Sequence, residues 1–259
     1  MASVTTIVIC MTDAERPFLA EALRSVQGQT VATKVILCVS DENEWVNEVL
    51  SAVDPGIELM RRQLAWIGYI RNQAISVVQT DLVAFLDSDD LWEPAKLENQ
   101  IDFLPVCGWD VVGSKHILIR EDGTPFFFGF AKNIPMTSSW LGRTATFSER
   151  PFEHVRIRED VLLWESLVPE GRCGILDDFL IRYRVREHSL SSATATKERK
   201  LAYARRSQVL GVRPLLLGAS YAANVGLRMQ RKVSRTQRRV QPVAKPFDSG
   251  RNLPGYHVS

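Results

Sequence analysis

Three apolar runs in residues 1–90 set the limits on what this chain can fold into. Thr5–Met11 (TTIVICM), Val35–Val39 (VILCV) and Asp81–Leu86 (DLVAFL) are rich in β-branched residues and continuous rather than alternating. A strand that reads this way is covered on both faces. Segments of helical character separate the runs. Thr12-Asp13 read as a helix cap and Pro17 falls at an early helical position. Phe18, Leu19, Ala22, Leu23 and Val26 then follow at helical spacing. Trp45–Val53 and Ile67–Val78 read as helices, with a weak strand at Ile57–Leu59 between them. Alternation of this kind predicts an α/β, Rossmann-like and mostly parallel sheet with helices on both faces.

From Pro94 the pattern changes. Pro94–Leu104 reads as a helix, Trp109–Ile119 as a strand pair or bent strand, and Arg120–Thr124 as a turn. Residues 125–150 read as irregular, Asp160–Val168 as a short helix and Ile181–Val185 as a last strand.

Composition narrows the class. Of 259 residues 45% are hydrophobic and 24% charged, which suits a packed core and excludes a disordered or fibrous chain. Cys10, Cys38, Cys107 and Cys173 form no CxxC pair, so a disulfide scaffold or zinc ribbon is not expected. No apolar run approaches the roughly 20 residues of a membrane span. No basic segment precedes the first apolar run, so no signal peptide is expected. Together these predict a protein of a reducing cytoplasm.

The most informative residues are Asp87-Ser88-Asp89-Asp90, directly after the apolar run DLVAFL. In open α/β sheets ligands sit outside the carboxyl ends of strands. Three carboxylates in four residues repel one another unless a cation or solvent compensates. A hard divalent cation takes oxygen ligands of this kind and bridges them to a diphosphate. The plain alternative is a solvated turn in which Asp90 caps the helix beginning near Pro94.

Here a family resemblance becomes visible. Arg71-Asn72, Val83 to Trp92 (VAFLDSDDLW), Pro94 and Lys96-Leu97 resemble the family 2 glycosyltransferases of the GT-A fold, whose pattern runs "ARN … yiafLDaDDxwxPxKL". Val8 to Asp13, with Leu19, Ala22, Leu23, Ser25-Val26 and Gln29-Thr30, resembles their "ViPtyNr…l.eal.SvlaQt". Arg158 to Trp164 resembles "EDydlWlrl", and Tyr183-Arg184-Val185 with His188-Ser189-Leu190-Ser191 resembles "yRvhpgSlS". The four blocks stand in family order over about residues 5–192.

The resemblance implies an inverting transfer from a nucleotide-diphosphate sugar, with Mn2+ or Mg2+ as cofactor. Asp89 would coordinate the metal, Asp87 would face it or the donor, Asp90 would assist or merely cap the helix, and His188 would face the diphosphate or metal. Thr12, Asp13, Arg71 and Ser88 would lie on the nucleotide-sugar side. Asp160 would be the general base, with Glu159 beside it; both equally read as first-turn acids favoured by the helix dipole. Arg71 equally reads as a surface charge, and Thr137-Ser138-Ser139 as a loop near the sugar pocket or simply a loop. One departure stands out. Where the family commonly has Asp-Asp-Gly-Ser after its second strand, this chain has Ser40-Asp41-Glu42-Asn43. The usual base-contacting acid falls on Val39 or Ser40, which leaves Asp41 to substitute after a shift.

Charge divides the chain. Residues 197–251 hold 14 Lys and Arg against Glu198 and Asp248, and the remainder holds 18 basic and 28 acidic residues. The expected organisation is therefore a glycosyltransferase domain over 1–192, with a nucleotide-sugar half (1–104) and an acceptor half (105–192), and a helical basic extension over 193–259. Pro214–Leu227 is apolar, and Arg228, Arg231, Lys232, Arg235, Arg238 and Arg239 follow. This reads either as a packed helix with a solvated tail or as a peripheral contact with an anionic membrane, on its inner face. No nucleic-acid partner is expected. The acceptor expected is a glycan or lipid-linked sugar. The rival is a non-catalytic sugar-nucleotide or glycan-binding protein on the same fold. A nucleotidyltransferase would want a Gly-rich basic loop after the first strand, and Thr12 to Arg16 is not one.

Overall fold

The computed structural model describes residues 2–53, 56–129, 134–186, 215 and 217–225. The first half alternates as its apolar runs require. β1 (Val4–Cys10) leads through a 3-10 turn (Asp13–Glu15) into α1 (Arg16–Gln27). β2 (Lys34–Ser40), α2 (Val46–Ser51), β3 (Glu58–Arg62), α3 (Ile67–Ile75) and β4 (Leu82–Asp87) follow. Thr12 opens the 3-10 turn, and the Glu15 carboxylate accepts from its backbone N–H at 2.8 Å. Pro17 stands in the first turn of α1, where a missing N–H leaves no bond unmade.

The second half holds β5 (Leu91–Trp92), α4 (Lys96–Cys107), β6 (Val111–Ile119) and β7 (Pro125–Phe128). A 3-10 turn (Thr137–Ser139), β8 (Leu141–Arg143), α5 (Thr144–Glu149), α6 (Glu159–Leu167) and β9 (Cys173–Arg184) complete it. The described residues of 125–150 thus carry two strands, a 3-10 turn and a helix where irregular chain is expected. β7 and β8 have only four and three residues, too few for a periodic signal. β9 begins well before Ile181, because Asp177-Asp178 interrupt its apolar pattern and its register on β6 is bulged.

Among the described residues the nine strands form one sheet in the order β3-β2-β1-β4-β8-β6-β9-β5, with β7 on β6. β1 pairs parallel with β2 and with β4, and β2 pairs parallel with β3. β8 runs antiparallel to β4 and β6, and β9 is parallel to β6. The parallel arrangement therefore holds for the first four strands and becomes mixed beyond them.

Side-chain alternation divides the core between the two faces. Val4, Val8 and Cys10 of β1 pack with Leu19, Leu23 and Val26 of α1 and Leu97 of α4. Ile7 and Ile9 pack on the other face with Ile70 and Ala74 of α3, Phe147 of α5 and Trp164 of α6. Gly68 lets α3 come close to the segment before α6. A Cβ there would stand 2.5 Å from the Glu153 carbonyl and 3.2 Å from the Glu159 Cβ. That approach brings Arg71, one turn on, against Glu159.

Two compact units are distinguished, Met1–Asn224 and Val225–Ser259. Residues 217–225 are helical, as the apolar stretch suggests. Ser220 Oγ accepts from the Phe128 N–H at 3.0 Å. The expected boundary at 192/193, His188 and the basic cluster 228–239 lie outside the described residues. No helix among the described residues is long and apolar enough to cross a membrane.

Candidate functional site at the carboxyl ends of β1 and β4

The strand order reverses direction between β1 and β4: β1 leads outward to β2 and β3, while β4 returns to the other side of β1. A crevice outside the carboxyl ends of such strands is where α/β folds take ligands. Ile9 lies beside Asp87 in register, so Thr12-Asp13 and Asp87 to Asp90 emerge side by side. Asp13 is exposed, and its carboxylate accepts from the Trp45 indole N–H at 2.6 Å. Asp41 is exposed after β2, held by its backbone N–H on the Arg62 carbonyl at 2.9 Å. Ser88 is buried, its backbone N–H donating to Ile9 at 3.1 Å, so its side chain is not open to solvent.

The three clustered carboxylates do not share one solvated turn. Each has its own compensation. Asp87, 40% exposed, meets Arg71 Nη2 at 3.0 Å. Asp89, 16% exposed, meets Arg186 Nε at 2.7 Å. Asp90 is buried and accepts from Ser138 Oγ at 2.6 Å and from the Arg184 N–H at 2.9 Å. It caps no helix, since α4 begins after Ala95. Burial, then repulsion from Asp89 and Asp87, holds the Asp90 carboxyl well above the usual carboxylate range. Burial likewise raises Asp89, against the pull of Arg186.

Arg71 is not a surface charge either. Its side chain is 3% exposed, and Nη1 reaches Glu159 at 2.7 Å while Nη2 reaches Asp87. Burial alone would lower its pKa; attraction to Asp87, Glu159 and Asp160 more than offsets that and raises it. The guanidinium so ties the end of β4 to the start of α6.

Asp160 is half-buried in the first turn of α6, following Arg158, which is held at φ 74°. One carboxylate oxygen accepts from Thr137 Oγ1 at 3.1 Å. The neighbouring Ser138 hydroxyl accepts from the Asp87 N–H at 3.1 Å and donates to Asp90. Trp92 Nε1 donates to the Ser138 carbonyl at 2.7 Å, Gln100 Nε2 to Ser139 at 2.7 Å, and the wholly buried Lys96 to Trp140 at 3.2 Å. Thr137 to Ser139 is therefore a buried junction between the aspartate cluster and Asp160, not a surface loop.

Arg184 belongs to the quoted resemblance without an assigned role, and Arg186 stands outside it. Arg184 Nε donates to the Asp89 carbonyl at 2.8 Å and Nη2 reaches Glu21 at 2.7 Å. Counted without a gap, the pattern "yRvhpgSlS" places Arg186 at the letter h, a signal that was available in the sequence.

Among the described residues no three His, Cys, Asp or Glu side chains converge to hold a metal by themselves. The donor set nonetheless fits Mg2+ or Mn2+. Asp87 and Asp89 offer hard carboxylate oxygens, Asp87 the more exposed of the two, and Mg2+ is commonly held by one or two carboxylates together with substrate phosphates.

Comparisons with known proteins give the family and the fold. The model of the family "Glycosyl transferase family 2" matches residues 6–151. The chain belongs to that family, on a mixed α/β fold of the GT-A type. It is 30% identical over 137 residues to TuaG of Bacillus subtilis, named for teichuronic acid biosynthesis, covering 47% of this chain and 54% of that one. It is 25% identical over 191 residues to WfgD of Escherichia coli, named a UDP-Glc:alpha-D-GlcNAc-diphosphoundecaprenol beta-1,3-glucosyltransferase, covering 67% and 74%. Residues 1–349 of S. aureus TarS, solved with UDP-GlcNAc, superpose with a TM-score of 0.60 at 19% identity, covering 78% of this chain and 64% of that one. The match to TuaG thus spans about half of that relative.

Proposed function

We propose that this protein transfers a sugar, with inversion, from a nucleotide-diphosphate sugar to a hydroxyl of a glycan or lipid-linked acceptor. One observation carries the reading: the segments that carry Asp89 and Asp160, acids suited to opposite ends of such a displacement, are joined through the Asp87–Arg71–Glu159 bridge and the Thr137-Ser138 turn. The nucleotide would lie along the ends of β1 and β2, against Thr12, Asp13 and Asp41. The diphosphate would lie over Asp87 and Asp89. Relatives whose printed names include UDP-glucose and UDP-GlcNAc make a uridine donor the first to test.

The chemistry divides between the two ends. Departure of the nucleoside diphosphate builds negative charge, and a divalent cation held by Asp89, with Asp87 beside it, supplies Lewis-acid stabilisation there when bound. An acceptor hydroxyl must lose its proton as it attacks the anomeric carbon. Asp160 takes that proton, and Thr137 fixes the orientation of its carboxylate. Arg71 holds Asp87 and Glu159 in place and so fixes the end of β4 against the start of α6. A single displacement inverts the anomeric carbon and needs no covalent nucleophile.

Calorimetry of UDP, GDP and dTDP, each with and without Mn2+, on the wild type and on Asp89→Ala tests the donor half. Metal-dependent binding of one nucleotide, lost in the variant, supports the reading. Equal binding in both proteins sinks it. The rival, a binding module without turnover, is favoured if donor binds and no sugar is ever released or transferred.

A further inference from the structure

Arg186 is the side chain at the site that no expectation covered. Its Nε lies 2.7 Å from Asp89 Oδ2, its Nη1 donates to the Ala14 carbonyl at 2.9 Å, and its Nη2 lies 3.9 Å from Glu15. The guanidinium also faces the Phe18 ring at 5.5 Å, and the side chain is only 9% exposed. One arginine thus joins the aspartate cluster to the turn after β1 and to α1. A guanidinium has no lone pair with which to ligate a metal, and it does not give up its proton. Arg186 and a divalent cation therefore compete for the same carboxylate.

We infer that Arg186 is the resident counter-ion of Asp89, and that a divalent cation competes with it for Asp89 and gains affinity when Arg186 transfers to another anion. The inference rests on the donor site proposed above, where the diphosphate is that anion. Taking Asp89 out of water is costly while it stands unpaired, and Arg186 offsets this before any ligand arrives. A diphosphate offers the guanidinium bidentate oxygen acceptors in exchange. Cation and nucleoside diphosphate then bind cooperatively, each favouring the state the other needs.

The test is calorimetric titration of MnCl2 alone, UDP alone, and each in the presence of the other. The proteins are the wild type, Arg186→Gln, Arg186→Lys and Asp89→Asn, with thermal unfolding of each as the folding control. Arg186→Gln should tighten MnCl2 binding without nucleotide by about tenfold, the scale of removing one cation from a half-shielded site, and should shrink the coupling between Mn2+ and UDP. Arg186→Lys, which keeps the charge, should stay near the wild type. The gain should vanish when Asp89→Asn is combined with Arg186→Gln. Unchanged Mn2+ affinity in Arg186→Gln, or a gain that survives loss of Asp89, overturns the inference. The Mn2+ titration needs no nucleotide, so a protein that fails to bind UDP contradicts the donor-site reading while the counter-ion claim is still decided.

Discussion

The Thr137 hydroxyl donates to the Asp160 carboxylate at 3.1 Å across 23 residues of sequence. The 3-10 turn that carries Thr137 also carries Ser138, which bonds Asp90 and the Asp87 N–H. Asp160 is therefore held by the same turn that holds the end of β4. A hydrogen bond of this kind contributes about 1 kcal/mol, and more toward a charged acceptor. Thr137→Val, close in shape, should lower kcat by roughly tenfold and leave UDP affinity unchanged. Steady-state kinetics set beside calorimetry reads this directly. Equal losses in kcat and in UDP affinity would show that Thr137 serves the donor pocket instead.

Arg71 carries the heaviest structural duty in the site. Its charge is buried between Asp87 and Glu159, and removing one partner of a buried pair leaves the other uncompensated. Arg71→Met should cost on the order of 3 kcal/mol, weighted toward Glu159, 12% exposed, because Asp87 is 40% exposed and water can solvate it. Arg71→Lys should recover part of the loss, since an ammonium cannot meet both carboxylates in the guanidinium geometry. Urea denaturation measures both. A Met variant as stable as the wild type would mean that the two carboxylates find solvent without help.

The buried Asp90 makes stability depend on pH. Its carboxyl is raised by burial and by Asp89 and Asp87 in the folded state, while in the unfolded chain it titrates at about 3.9. The folded protein thus holds the proton more tightly. The resulting stability is fully present below the unfolded value and is lost as pH rises through the folded one. Asp90→Asn does not titrate at this position. Its Tm should gain on the wild type steadily as pH rises from about 4 into the neutral range. A difference in Tm that stays flat across that range would contradict the assignment.

Legibility in the sequence followed length and periodicity. β1, β2 and β4 were legible because a buried parallel strand is a continuous apolar run, and α1 because its apolar residues recur on one face. β5, with two residues, and β8, with three, have no pattern to read; pairing with β9 and with β4 and β6 defines them. At the site, the aspartate cluster and Asp160 were legible as motifs. Their partners were not. Arg71 reads equally as a nucleotide-side arginine and as a helix-surface charge, because nothing local announces that Gly68 lets α3 meet Glu159. Asp90 reads as an assistant to the metal or as a cap, because Ser138 and Arg184, which bury it, lie 48 and 94 residues away. Long-range contacts decide which of several charged residues are sealed inside, and spacing along the chain does not encode them.

The central claim is that Asp160 removes the acceptor proton while the aspartate cluster holds the donor. Asp160→Asn tests it most directly, because the amide keeps the shape and an acceptor for Thr137 but loses the basicity. UDP release from UDP-glucose and UDP-GlcNAc, with a lipid-linked sugar as acceptor, would be followed alongside UDP affinity in Mn2+. The account predicts a fall in turnover of roughly 100-fold or more with UDP binding retained. Turnover at the wild-type rate, or loss of UDP binding together with turnover, would contradict it.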